Sequence, residues 1–344
     1  MRLFPRLLVQ ITDIQIGIYS VRVIDYTMRR ILLIDDFHEY LHQSMQGKFE
    51  VIDCRNCTPN EVGELLNLHQ PEGLFVRSKV FIDKELMVAS TGLKWIGRGG
   101  AGMDNIDEVS AQEMGITCFN AGEANADAVG EHTLAMLLGL LTRLPKRNSE
   151  VKSGVWDREG NRGTELKGKT VGIVGYGNTG SAVAQKLRGF GVEILAYDKY
   201  KTGFGNAWIA EVSESALLSK SDIITLHIPL TAETRFWINK NRLEQCKEGI
   251  YLLNLSRGMV VDLVEVEGAI NSGRIKGFAA DVLPIEPPWM DLEANRNLAF
   301  QRLSELKHVI FSPHVAGWTL ESYRKISVIL FDKMLKLYDI DGNF

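Results

Sequence analysis

The chain has 344 residues, 45% of them hydrophobic and 24% charged, with a formal net charge of −4. At roughly 100–200 residues per domain this predicts two globular domains, and the composition excludes a disordered chain. The slightly acidic balance argues against nucleic acid as a partner, and four cysteines are too few for a disulfide scaffold. No apolar run reaches the roughly 18 residues of a membrane span, so a cytoplasmic protein without membrane attachment is expected.

The N-terminal stretch up to Arg30 is apolar enough to suggest an export signal. Asp13 and Gln15 interrupt it, however, and no small-residue cleavage site follows. At Arg29 the character changes: RRILLIDDF reads as a buried strand followed by a turn and a helix start, and Met28 stands just before it. Residues 1–28 are therefore expected to be an extension or a mis-assigned start, the alternative being an ordinary additional strand.

From Ile31 to Phe119 short apolar runs alternate with helical patterns. Strands are predicted at Ile31–Ile34, Phe49–Ile52, Gly73–Val76, Leu93–Ile96 and Ile116–Phe119. Helices fall between them, at Glu39–Gln46, Asn60–Asn67, Asp83–Ala89 and Asp107–Met114. Such alternation implies parallel βαβ units whose strands are buried on both faces. The helix predicted over Ala126–Leu144 is apolar nearly all round, so it belongs in a core or an interface. Pro145–Lys169 reads as a polar loop.

A second alternating set follows, with strands at Val171–Val174, Glu193–Tyr197, Ile223–Ile228, Ile250–Asn254, Gly277–Asp281 and Val309–Ser312. Asp291–Glu305 is a polar, helical insert, and Leu320–Tyr338 is one amphipathic helix. The fold class is α/β, with two doubly wound parallel-sheet domains.

TVGIVGYGNTGSAVAQKLRGFGVEILAYD carries the strongest chemical signal. Gly175, Gly177 and Gly180 form G-x-G-x-x-G directly after a buried strand and opening a helix. The first glycine permits the tight turn, the second lets backbone approach a pyrophosphate, and the third allows close helix–strand packing. N–H groups around Asn178 and Thr179 would hold phosphate charge at the helix start. Asp198 ends the next strand, 18 residues after Gly180. A carboxylate there accepts from ribose hydroxyls and repels a 2′-phosphate, so NAD is expected as cofactor. Lys199 and Lys201 beside it are the features that would suit NADP.

Three further strand-end segments carry candidate catalytic groups: NLSRG with Arg257, DVLPIEP with Glu286 and SPHVAG with His314. Strand C-terminal ends are where open α/β sheets gather ligands. Together with GRGGAGMDNID, GTELKGKTVGIVGYGNTG and VKSGVWDREG, these segments resemble the D-isomer-specific 2-hydroxyacid dehydrogenases from about Ile31 to the C-terminus. Within that family the likeness is greatest to the branch acting on 3-phosphoglycerate.

The resemblance implies a Rossmann NAD-binding domain over residues 123–316, inserted into a flavodoxin-like substrate domain. The latter would comprise residues 29–122 and a returning C-terminal helix, 317–344. It implies His314 as general acid/base, Glu286 bonding its ring, and Arg257 gripping the substrate carboxylate. It places His227, Pro229, Leu255, Ser256, Asp281 and Gly317 along the cofactor. Gly99, Gly100, Ala101 and Gly102 would offer backbone N–H groups to the carboxylate. Arg77 and Lys79 would take a substrate phosphate.

The implied activity is NAD-dependent oxidation of a D-2-hydroxy acid, or the reverse reduction of a 2-keto acid. The substrate expected is 3-phosphoglycerate, in serine biosynthesis. A glyoxylate or hydroxypyruvate reductase is the alternative, and an NADH-sensing binding scaffold is the alternative of another class. A homodimer is expected, with the Ala126–Leu144 helix and the loop carrying Trp156 at its interface. Only about one helix follows His314, so the short family form without a C-terminal regulatory domain is expected. Trp318 stands where many relatives carry a small residue, and the 287–307 insert is longer than in many of them. Cys54-Arg-Asn-Cys57 offers too few ligands for a closed zinc site, and no metal is expected.

Overall fold

The computed structural model describes residues 8–16, 19–284 and 298–340. It divides into two compact units, Met1–Asn125 with Leu320–Phe344, and Ala126–Thr319. The chain begins with β1 (Leu8–Ile16) and β2 (Tyr19–Thr27), which pair antiparallel and form a two-stranded sheet of their own.

The first unit holds β3 (Arg30–Leu33), β4 (Glu50–Asp53), β5 (Gly73–Val76), β6 (Trp95–Arg98) and β7 (Thr117–Asn120). They make one parallel sheet in the order β4-β3-β5-β6-β7. Helices α1 (Glu39–Met45), α2 (Val62–His69), α3 (Lys84–Val88) and α4 (Glu108–Glu113) connect the strands. Asp83 and Asp107 cap α3 and α4 by accepting the N–H groups of Leu86 and Ser110 at 2.9 and 3.1 Å.

Side chains alternate across a strand, so both faces of this sheet are apolar. Ile31 and Leu33 enter one core with Phe75 and Trp95, while Leu32 enters the other with Leu74 and Ile96. The first core is closed by the last helix, whose Tyr338 hydroxyl accepts the Trp95 indole N–H at 2.9 Å.

The second unit starts with α5 (Ala126–Thr142), broken from α6 (Leu144–Lys152) at Arg143, whose φ is +56°. The predicted loop from Pro145 therefore begins as helix. Proline is tolerated in the first turn, where its missing N–H has no partner to lose. The apolar α5 is explained by its own unit: Val129, Met136, Leu137, Leu140 and Leu141 are buried against β8 (Thr170–Val174) and α7 (Asn178–Leu187).

Next come β9 (Glu193–Tyr197), β10 (Ile209–Glu211), α8 (Glu214–Lys220), β11 (Ile223–Leu226) and α9 (Lys240–Gln245). The unit continues with β12 (Ile250–Asn254), α10 (Leu263–Asn271), β13 (Ile275–Ala280), α11 (Leu298–Ser304) and β14 (Val309–Phe311). Helix α12 (Leu320–Ile340) then returns to the first unit.

The seven strands are parallel in the order β10-β9-β8-β11-β12-β13-β14. Both expected doubly wound sheets are present. The three-residue edge strand β10 was not expected, because it is too short to show a period. Of the expected insert helix, the described part is α11, and residues 285–297 lie outside the described residues. No helix among the described residues is long and apolar enough to cross a membrane.

Candidate active site

The sheet of the second unit reverses direction of winding between β8 and β11, the place where open α/β sheets bind ligands in a crevice at the strand C-termini. Gly175 takes φ +89°, and a Cβ on it would lie 2.5 Å from the His227 carbonyl oxygen. At Gly180 a Cβ would lie 2.0 Å from the Gly175 carbonyl oxygen. A Cβ at Gly177 would meet nothing within 4 Å, so open space lies over the N-cap of α7. Asn178 and Thr179 follow as the first residues of the helix. Each glycine thus has a different steric reason, and the arrangement leaves room for a pyrophosphate against helix N–H groups.

Asp198 follows β9 and ties this crevice together. Its Oδ2 accepts the Tyr176 N–H at 2.8 Å, and its Oδ1 accepts those of Tyr200 and Lys201 at 2.9 and 3.0 Å. His227, beyond β11, is buried; its Nε2 pairs with Thr225 Oγ1 at 2.9 Å and its Nδ1 has no partner among the described residues. Burial pushes its pKa down to about 3, so the ring stays neutral. Pro229 is exposed on the same loop, and its carbonyl accepts the Thr234 hydroxyl. An open glycine cradle, a carboxylate at the end of β9 and an unpaired neutral ring nitrogen fit a nicotinamide dinucleotide.

The next three strand ends carry the candidate catalytic segments. After β12, Leu255 and Ser256 are buried, and the Arg257 guanidinium Nη1 donates to the Ser256 carbonyl at 2.8 Å. Asn254, which the sequence reading passed over, folds this turn. Its side-chain oxygen accepts from the Ser256 N–H and hydroxyl, and its amide donates to the Arg257 carbonyl at 3.0 Å. A Cβ on Gly258 would lie 2.0 Å from the Leu283 carbonyl carbon, so the backbones after β12 and β13 run in contact. Glu286 lies outside the described residues.

After β13, Asp281 is 1% exposed and both of its carboxylate oxygens are used. Oδ1 accepts from the Ser312 hydroxyl at 2.5 Å and the Val315 N–H at 3.0 Å; Oδ2 accepts from the Ala316 N–H at 2.7 Å. His132 of α5 adds a contact, its Nε2 being 3.0 Å from Ser312 Oγ and 3.6 Å from Asp281 Oδ1. The expected cofactor residue is thus the anchor of the loop after β14. His314 lies on that loop at φ +55°, its N–H donating to the Asp281 carbonyl at 2.7 Å. A left-handed backbone at a non-glycine residue is held only when its surroundings over-determine it, and these bonds do so. His314 is exposed, Gly317 half-buried and Trp318 half-exposed.

In the first unit, Arg77 follows β5 and Arg98 ends β6. A Cβ on Gly99 would collide with the Arg77 side chain, and one on Gly100 with the Arg98 guanidinium. Gly99 thus gives room to the Phe37 ring, 2.7 Å from such a Cβ, as well as to the Arg77 stem at 2.8 Å, while Gly100 lies against the flexible end of Arg98. The expected anion nest is narrowed, because the Gly99 and Gly100 N–H groups donate to the carbonyls of Val76 and Arg98. Ala101 and Gly102 are left to present theirs. Arg77 stands over the Tyr323 ring, and its Nη1 is 3.4 Å from the Asp36 carbonyl. Lys79 donates to the Arg55 carbonyl at 2.5 Å and lies 4.0 Å from Cys57 Sγ. Burial pushes the Cys54 and Cys57 thiols above their usual range, which suits inert protonated thiols.

Fold and glycine loop define an α/β protein with a dinucleotide-binding unit. The chain belongs to the D-isomer specific 2-hydroxyacid dehydrogenase family, whose NAD binding domain matches residues 134–316. It is 36% identical over 276 residues to D-3-phosphoglycerate dehydrogenase of Bacillus subtilis, covering 78% of this chain and 50% of that protein. It is 33% identical over 263 residues to hydroxypyruvate reductase of Thermotoga maritima, covering 76% and 83%. The chain spans about half the length of the curated phosphoglycerate dehydrogenases it matches. Among solved structures it resembles a D-lactate dehydrogenase of Aquifex aeolicus complexed with NAD and lactic acid. That match has a TM-score of 0.75 and 29% identity, over 92% of this chain and 98% of that one.

Proposed function

We propose that this chain is an NAD-dependent D-2-hydroxyacid dehydrogenase and that its substrate is 3-phosphoglycerate, oxidised to 3-phosphohydroxypyruvate in serine biosynthesis. The observation that carries the reading is the buried Asp281, which fastens the His314 loop at one strand end while Asn254 folds the Arg257 turn at the next. NAD, when bound, takes up or returns the hydride. His314 exchanges the hydroxyl proton at its imidazole, and Arg257 holds the carboxylate with charge-assisted hydrogen bonds. Glu286, as the family resemblance implies, bonds the His314 ring and favours its protonated form.

The phosphate would be taken by Arg77 and Arg98, whose side chains lie beside Gly99 and Gly100. Lys79 spends one of its three ammonium donors on the Arg55 carbonyl, which leaves its charge and two donors for the phosphate. A second reading, a hydroxypyruvate or glyoxylate reductase, is favoured by the likeness to the Thermotoga maritima enzyme over most of its length.

NADH oxidation with a panel of 2-keto acids separates them. Phosphohydroxypyruvate should be reduced with a kcat/KM about 10²-fold or more above hydroxypyruvate or glyoxylate, because buried charge-assisted contacts discriminate strongly. Arg77→Ala should sharply reduce that preference by weakening the phosphorylated substrate alone. Equal kcat/KM values in the wild type would leave the second reading, and no turnover on any 2-keto acid would leave an NADH-binding scaffold.

The same reading makes the protein a homodimer. With α5 buried in its own unit, the support comes from exposed Leu144, Val151, Val155 and Trp156, the last 79% exposed, on α6 and the loop after it. Light scattering at micromolar concentration should give twice the 38.5 kDa chain mass; a strictly monomeric species contradicts this part.

A further inference from the structure

Strands β9 and β11 flank β8 in the sheet, so the loops that follow them border the glycine turn on opposite sides. One salt-bridged cluster joins these loops. Lys199 Nζ donates to Glu233 Oε2 at 2.6 Å, and the Tyr200 hydroxyl donates to the same oxygen at 2.7 Å. Glu233 is presented by a tight turn. Thr234 Oγ1 accepts the Thr231 N–H at 2.7 Å and donates to the Pro229 carbonyl at 2.6 Å. The Lys199 and Tyr200 bonds hold the Glu233 carboxyl below the usual range, and Glu233 in turn raises Lys199. Lys201, the other cation beside Asp198, lies with Nζ 3.4 Å from the Tyr176 carbonyl.

The Lys199–Glu233 pair is more than half exposed on both sides, and exposed ion pairs add little stability. Its consequence is electrostatic. An ammonium one residue beyond the acid that faces a ribose is well suited to bond a 2′-phosphate. Paired with Glu233, that ammonium brings no net charge, so Lys199 does not offset the repulsion of the phosphate by the Asp198 carboxylate.

We propose that Glu233 is a cofactor-selecting residue, which keeps the site specific for NAD by neutralising Lys199 across the adenosine end of the crevice. Selectivity against NADP then rests on Asp198 and Glu233 together, two residues on different loops that no local sequence pattern links. The proposal goes beyond the substrate reading and rests only on Asp198 being the acid that faces the ribose.

Fluorescence titration of NADH and NADPH onto the wild type, Glu233→Gln and the double variant Glu233→Gln/Lys199→Met tests it. Glu233→Gln should bind NADPH roughly 5–20-fold tighter, the scale of one gained charge-assisted contact. NADH affinity should stay within about twofold, since Asp198 and the glycine turn are untouched. The NADPH gain should vanish in the double variant and shrink at high salt, where charges on the surface are screened. An unchanged ratio of NADPH to NADH affinity in Glu233→Gln overturns the proposal, as does a gain that survives loss of Lys199. Asp198→Asn tests the ribose placement by itself: a ratio of NADPH to NADH affinity unimproved there means that Asp198 does not face the 2′ position, whatever Glu233 does.

Discussion

His314→Ala is expected to lower kcat by roughly 10²–10⁴, the usual worth of a positioned acid/base, while NADH affinity stays near that of the wild type. The asymmetry follows from where the groups lie. His314 is exposed on the loop after β14, whereas Gly175, Gly177, Gly180 and Asp198, which we propose hold the cofactor, lie at the ends of β8 and β9. The His314 N–H donates to the Asp281 carbonyl, so alanine removes the imidazole without removing that bond. Steady-state kinetics beside an NADH titration provides the check. A variant with full turnover would remove His314 from the chemistry.

Asp281→Ala is expected to cost about 3–5 kcal/mol of stability and to lower turnover as well. Its carboxylate accepts one hydroxyl and two backbone N–H groups in a site 1% exposed. Each buried donor left unpaired costs about 1–3 kcal/mol, and partial entry of water keeps the total below the simple sum. The same donors set the loop that bears His314 at φ +55°, so their release also lets the imidazole drift. Asp281→Asn keeps the volume but presents a single acceptor oxygen, and should fall between wild type and alanine. Urea unfolding midpoints and kcat, measured on all three proteins, decide. Wild-type stability in Asp281→Ala would show that the loop holds itself.

Much of the glycine turn was legible because its demands are local. Gly175 must turn, Gly177 must leave space and Gly180 must let α7 approach β8, all within six residues that follow a buried strand. The strands were legible for the same reason: in a sheet covered on both faces every residue is apolar, as Ile31, Leu32 and Leu33 show. Illegible were the groups whose partners lie far along the chain. Asp281 bonds residues 31 to 35 positions away, His132 reaches Ser312 across 180 positions, and Lys199 meets Glu233 across 34. Arg98 carries no signal in the sequence, because its place against Gly100 is an effect of backbone path rather than of pattern.

By itself, then, the sequence determined two alternating α/β sets, the glycine turn with its acid, and the strand-end positions of Arg257 and His314. Period, steric need and spacing along one chain are properties of neighbouring residues. The tertiary structure alone decided that α5 is consumed by its own core, that α6 follows it as a helix, and that Asp281 anchors the His314 loop. It also decided that Glu233 takes the charge of Lys199. Those outcomes depend on which strand ends become neighbours, and the order β10-β9-β8-β11-β12-β13-β14 is set by how the sheet winds rather than by the order of the chain.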